Sequence, residues 1–161
     1  MDHLWSPWRY SYVQSSATGD ACIFCAKAAD SRDPENLIVH RARFNFILLN
    51  LYPYNNGHVM IAPYEHVATL EDAQEATTTE MMALTKQVQV HLRTIYKPGG
   101  FNFGMNIGEV AGAGVAGHIH MHIVPRWRGD ANFMTTIAET RVLPEDLSET
   151  YRKLRDAFTE V

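Results

Sequence analysis

His118-Ile119-His120-Met121-His122-Ile123-Val124 alternates imidazole and apolar side chains without a break. A strand sorts such a pattern, because its side chains point to opposite faces in turn. Read as a strand, the segment sets its three histidines on one face and Ile119, Met121 and Ile123 on the other, toward a core. A solvated polar face, or histidines bonding one another, would satisfy the same pattern without chemistry. Reach argues against a single zinc held by all three, since without a bend at most two can approach it. The outer two lie roughly 13 Å apart at the usual strand rise, whereas zinc takes its ligands at roughly 2 Å. Covalent catalysis fits better. Neutral imidazole attacks phosphorus near neutral pH when one nitrogen is free and a hydrogen bond holds the other's proton. His120, flanked on both sides, is the best placed of the three.

The preceding loop, Gly108 to Gly117, has four glycines in ten residues. Glycine lets backbone N–H groups approach phosphate oxygens closely, so the loop reads as a phosphate cradle or as a plain flexible turn. Further out, the chain divides into elements. A short helix is expected over Ile23 to Ala29. Strands are expected at Leu37-Ile38-Val39, Phe44 to Leu49, His58 to Ala62 and Phe101 to Asn106, with a tight turn at Pro53-Tyr54-Asn55-Asn56-Gly57. Met81, Leu84, Val88, Leu92 and Ile95 recur at helical spacing behind Thr77-x-x-Glu80, which reads as a capping box. Pro98-Gly99-Gly100 ends that helix. A last helix is expected from about Pro144, with Glu145 and Asp146 in its first turn and Leu147, Tyr151, Leu154 and Phe158 buried. The pattern predicts an α+β fold: a mostly antiparallel sheet of about five strands, one long helix and a C-terminal helix.

The 161 residues suit one domain over 21–161 behind an N-terminal arm, residues 1–20. A content of 46% hydrophobic and 20% charged residues is that of a globular chain. A net charge of -4 argues against a nucleic-acid backbone as partner. No apolar run is long enough for a membrane span, and Met1 to Val13 lacks a signal-peptide core, so a cytoplasmic location is expected. In that compartment Cys22-x-x-Cys25 suggests metal or redox chemistry rather than a structural disulfide.

His-Ile-His-Met-His-Ile-Val resembles the signature of the histidine-triad (HIT) family. The resemblance extends to Cys22-Ile23-Phe24-Cys25, Asn50, Gly57-His58-Val59-Met60-Ile61-Ala62-Pro63, His66 and Phe103-Gly104-Met105-Asn106. Leu4-Trp5-Ser6-Pro7-Trp8-Arg9, Pro125-Arg126-Trp127 and Gly129 to Met134 are similar to a bacterial branch near the diadenosine tetraphosphate phosphorylases and fragile-histidine-triad hydrolases. The resemblance implies a HIT-like fold, a homodimer, and cleavage of dinucleoside polyphosphates through a nucleotidyl group on His120, released to water or phosphate. It assigns His118 and His58 to orienting the site, and His122 to phosphate oxygens or the leaving group. Asn50 is assigned to ribose, Asn106 to phosphate or the nucleotide edge, and Gly112, Gly114 and Val115 to the phosphate loop. Gly114 and Val115 stand where many relatives carry Gln, Ser or Thr, which leaves leaving group and acceptor open. Arg126 and Trp127, which follow the triad, suit phosphate charge and base stacking.

The resemblance also joins His66 and His118 to Cys22 and Cys25 as a closed structural zinc site, with no organic cofactor. A thioredoxin-like pair is disfavoured by the surrounding elements. Rival functions are a nucleoside phosphoramidase, a nucleotide-binding module without turnover, and a zinc-binding structural protein.

Overall fold

The computed structural model describes residues 22–130 and 145–159. The N-terminal arm, Phe133, Met134 and the expected helix start at Pro144 lie outside them. The described elements are α1 (Ile23–Ala29), α2 (Asp33–Asn36), β1 (Ile38–Arg41), β2 (Asn45–Leu49), β3 (Val59–Pro63), α3 (Glu75–Tyr96), β4 (Gly100–Gly104), β5 (Met121–Arg126) and α4 (Leu147–Thr159). The strands form one antiparallel sheet in the order β1-β2-β3-β5-β4. The α+β expectation therefore holds.

Every residue of β2 and β3 is buried, because both sheet faces are covered. On one face Ile47, Leu49, Val59, Ile61, Met121 and Ile123 pack against Met81, Leu84, Val88 and Leu92 of α3 and Leu154 of α4. On the other face Ile38, Phe46, Leu48, Met60 and Ala62 pack under Phe24 of α1. His122 pairs with Met60, so it emerges on the α1 face, away from the long helix.

The Thr77-x-x-Glu80 capping box does not form. α3 begins at Glu75, and Thr77 is buried inside it. Glu80 instead accepts the backbone N–H groups of Arg43, Phe44 and Asn45 and the side-chain amide of Asn45. Three converging donors in the turn between β1 and β2 hold the carboxylate better than one helix-end donor would. The last helix begins at Leu147, and Asp146 serves as its cap, accepting from Ser148 Oγ and the Glu149 N–H. Glu145 turns away to Tyr96, Thr150 and Lys153. Leu37 is not in a strand. Pro34 starts the unexpected α2, and Leu37 ends it in the left-handed region at φ 59°.

The histidine strand is also shorter at its start than the alternation implies. β5 begins at Met121, so His118 and His120 precede it. The ladder with β3 stops at Ile61–Met121. One step on, the carbonyl of Pro63 is taken by His118 Nε2, and proline has no N–H to offer. At the other edge β4 ends at Gly104 rather than Asn106, because its partner β5 begins only at Met121 and the last pair is Gly104 with His122; the Asn106 side-chain amide is bonded to the Gly112 carbonyl of the following loop.

Candidate active site

Freed from the ladder, the three histidines part company. His118 turns to the C-x-x-C segment: its Nδ1 lies 3.3 Å from Cys22 Sγ and 3.6 Å from Cys25 Sγ. Its Nε2 donates to the Pro63 carbonyl at 3.0 Å. His66 Nδ1 lies 3.3 Å from Cys25 Sγ. Ligand atoms of Cys22, Cys25, His66 and His118 all fall within 4.8 Å of one another. Two thiols and two imidazole nitrogens this close, with the Pro63 bond leaving the His118 Nδ1 lone pair on the cluster, fit a tetrahedral zinc. Burial and the neighbouring Cys22 push the Cys25 thiol up.

His120 donates Nδ1–H to the His118 carbonyl at 2.9 Å. A neutral ring so tethered carries its lone pair on Nε2. Burial keeps the ring neutral by lowering its pKa, against the opposing pull of the carbonyl bond. Phe24 packs on His118 and His120 at centroid distances of 5.2 Å and 4.7 Å. His118 thus supports the central histidine through its backbone, while its ring is committed to the thiols.

On the other side His122 stands edge-on to His120 at 4.8 Å between centroids. His58 Nε2 lies 2.9 Å from His122 Nδ1. His58 Nδ1 accepts the Tyr54 N–H at 3.1 Å, which fixes the proton on Nε2 and makes His58 the donor to His122. Burial, then the charges of His122 and His120, push the His58 pKa down to about 3. The relay therefore runs from the Tyr54 backbone through His58 to His122, and leaves the His122 proton on Nε2.

The remaining expected site residues divide. Asn50 braces the turn: its amide nitrogen lies 3.4 Å from His58 Nδ1, and its oxygen accepts the Tyr52 N–H. The N–H groups of Ala111, Gly112 and Ala113 are bonded back to Gly108 and Glu109 in a short 3-10 turn, so this part of the loop is not an open cradle. Val115 packs against the α1-side core, and Gly114 beside it is half-buried. The Trp127 indole donates to the Tyr96 carbonyl and so covers the end of α3. Arg126 is paired with Asp130 and bonded to Asn102. A cleft of about 560 Å³ beside His122 is lined by Asn106, Gly112 and Arg126, and by Tyr54 and Asn102, which the sequence reading passed over. Tyr54 lies in a segment that reads only as a turn; Asn102 is marked only by sharing a strand face with His122 and Arg126.

A family model described as the HIT domain matches residues 32–129. The chain belongs to the HIT family. It is 39% identical over 162 aligned positions, 96% of this chain and 83% of the relative, to a protein of Mycobacterium tuberculosis named AP-4-A phosphorylase. A Bis(5'-nucleosyl)-tetraphosphatase [asymmetrical] of Schizosaccharomyces pombe is 29% identical over 93 positions, covering 58% of this chain and 50% of the relative. Among solved structures, a Zn-bound histidine triad family protein from Mycobacterium smegmatis matches with TM-score 0.69 at 28% identity, covering 90% of this HIT protein and 96% of the other chain. No helix among the described residues is long and apolar enough to cross a membrane.

Proposed function

We propose that this protein cleaves dinucleoside polyphosphates by transferring a nucleotidyl group to His120 Nε2 and then to an acceptor. The observation that carries the reading is the His120 Nδ1–H bond to the His118 carbonyl, which puts the lone pair of a neutral ring on Nε2. Nε2 attacks the α-phosphorus as the bond to the bridging oxygen breaks, and the leaving nucleoside polyphosphate takes the electron pair. The His122 Nε2–H, fixed through His58, donates a hydrogen bond to that oxygen. An acceptor oxygen then attacks the same phosphorus, the P–N bond breaks, and His120 is restored. The name of the mycobacterial relative supports phosphate as acceptor over water.

With Ala111 to Ala113 bonded inward, we assign phosphate contacts to the backbone of the Gly114–Gly117 half of the loop. Asn50, held against His58, is assigned to ribose. Cys22, Cys25, His66 and His118 would hold zinc, supported by their donor set and by the Zn-bound structural relative. Bound zinc would supply rigidity rather than Lewis acidity, since four protein ligands leave no open position. We read the active species as a homodimer, with the exposed edge strand β4 available for pairing.

Incubation with diadenosine tetraphosphate, with and without inorganic phosphate, tests the reaction. Phosphorolysis yields ADP and ATP only when phosphate is present. Hydrolysis through the same intermediate yields AMP and ATP without it, whereas two ADP would require attack on a β-phosphorus and contradicts the proposal. Intact substrate in every arm contradicts the proposal.

A further inference from the structure

Transfer to His120 splits the substrate in two, and the half that leaves needs a seat of its own. On the face that carries His122, the cross-strand partners along β4 and β5 are Gly104 with His122, Asn102 with Val124, and Gly100 with Arg126. A Cβ built on Gly104 or Gly100 meets nothing within 4 Å, so packing demands no glycine at either position. Their effect is to leave open ground next to His122 and next to Arg126. The resulting cleft starts at His122, on the far side of that ring from Phe24 and α1. Tyr54, Asn106 and Gly112 also line it.

Its two ends differ in chemistry. The near end offers the His122 ring, whose Nε2–H suits a phosphate oxygen, beside the loop that Asn106 braces through the Gly112 carbonyl. The far end holds a fixed guanidinium. Arg126 donates from Nη2 to Asp130 Oδ1 at 2.8 Å and from Nη1 to Asn102 Oδ1 at 2.8 Å, and its Nε also reaches Asp130. Asp130 is itself anchored by the buried Asn55 amide and the Trp127 N–H. This arginine is charge-paired and locked, so it is poorly placed to swing toward a phosphate. A planar guanidinium held flat is a surface for stacking a base, and the amide beside it has donors for base nitrogens or ribose oxygens.

We propose that the cleft running from His122 to Arg126 is the seat of the leaving nucleotide. Its phosphates lie at the His122 end, and its nucleoside lies against Arg126 and Asn102. The assignment rests on the nucleotidyl-transfer reading above and specifies its second substrate half.

The test compares diadenosine tetraphosphate with an aryl ester of AMP, whose leaving group is a small phenol that ends short of Arg126. In Asn102→Leu and Arg126→Met, KM for the dinucleotide rises about tenfold or more, the loss of one or two good contacts. Turnover of the aryl ester stays at the wild-type level, which also shows that the fold and His120 are intact. Equal effects on both substrates, or no effect on either, overturn the cleft assignment while leaving nucleotidyl transfer in place. Wild-type protein that cleaves neither substrate overturns both.

Discussion

The thiol–imidazole cluster around His118 and the imidazole relay around His120 and His122 are neighbours in sequence but are built for opposite purposes. Around His118 both ring nitrogens are committed, one to a carbonyl and one toward two thiols, so the ring has nothing left to give a substrate. Around His120 one nitrogen is tied to the His118 backbone, and the tie leaves the other nitrogen's lone pair available for attack. The difference teaches that three histidines of one motif need not act alike: the first is bound into the thiol cluster, and the second keeps the lone pair that the proposed mechanism uses. The third is aligned by His58, and the proposed mechanism turns it toward the departing group. The two regions touch at a single backbone carbonyl and share Phe24.

Substitution breaks the comparison most sharply at its centre. His120→Asn keeps size and some hydrogen bonding but removes the attacking nitrogen. Steady-state turnover falls by roughly 10⁴-fold or more, while nucleotide affinity measured by calorimetry changes little. His58→Asn leaves the nucleophile and unsettles the His122 proton together with the Tyr54 and Asn50 contacts, and a smaller loss in turnover follows, about tenfold to a hundredfold. Equal losses in the two variants would mean that the nucleophile and the relay are not distinct.

The cluster side behaves differently. If the cluster holds zinc as proposed, elemental analysis of purified protein is expected to give about one zinc per chain, and Cys22→Ser or a strong chelator is expected to lower the melting temperature. Because His118 also carries the carbonyl that holds His120, metal loss lowers turnover as well, without altering which residue is modified. Metal-free protein of unchanged stability would contradict the structural role.

How much of this was legible follows from which contacts are local. The five strands, the long helix and its end at Pro98-Gly99-Gly100 are written in short-range periodicity and turn residues. The grouping of Cys22, Cys25, His66 and His118 was available only through family resemblance, since nothing local joins positions so far apart in the chain. What alternation misjudged is the start of β5. A two-residue period does not reveal that Pro63 ends the partner ladder, nor that the His118 ring does better at the thiols. Glu80 shows the same limit: its spacing from Thr77 imitates a cap, while its real partners lie some 35 residues upstream.

Two smaller effects sharpen these points. Glu80→Ala removes the acceptor of three backbone donors and costs about 2 kcal/mol in denaturant unfolding. Turnover below the melting temperature is unaffected, since Glu80 lies on neither side of the comparison. The His58 pKa of about 3 adds a pH dependence. The unfolded chain takes up a proton at this residue below about pH 6.5, and the folded chain does not until near 3. The contribution of His58 to stability is therefore complete above pH 6.5 and declines as pH falls toward 3. Melting curves between pH 7 and pH 4.5 fall less steeply in His58→Asn than in wild type. An identical slope would mean that His58 titrates normally in the fold.

The most direct test of the division of labour is the position of the covalent group. Wild-type protein is mixed with diadenosine tetraphosphate, quenched in mid-reaction without exposure to acid, digested, and mapped by mass spectrometry. An adenylyl group, labile to acid, on the peptide containing His118, His120 and His122, with fragment ions placing it on His120, is the predicted result. The same group on His118 or His122, or its persistence in His120→Asn, would contradict the account.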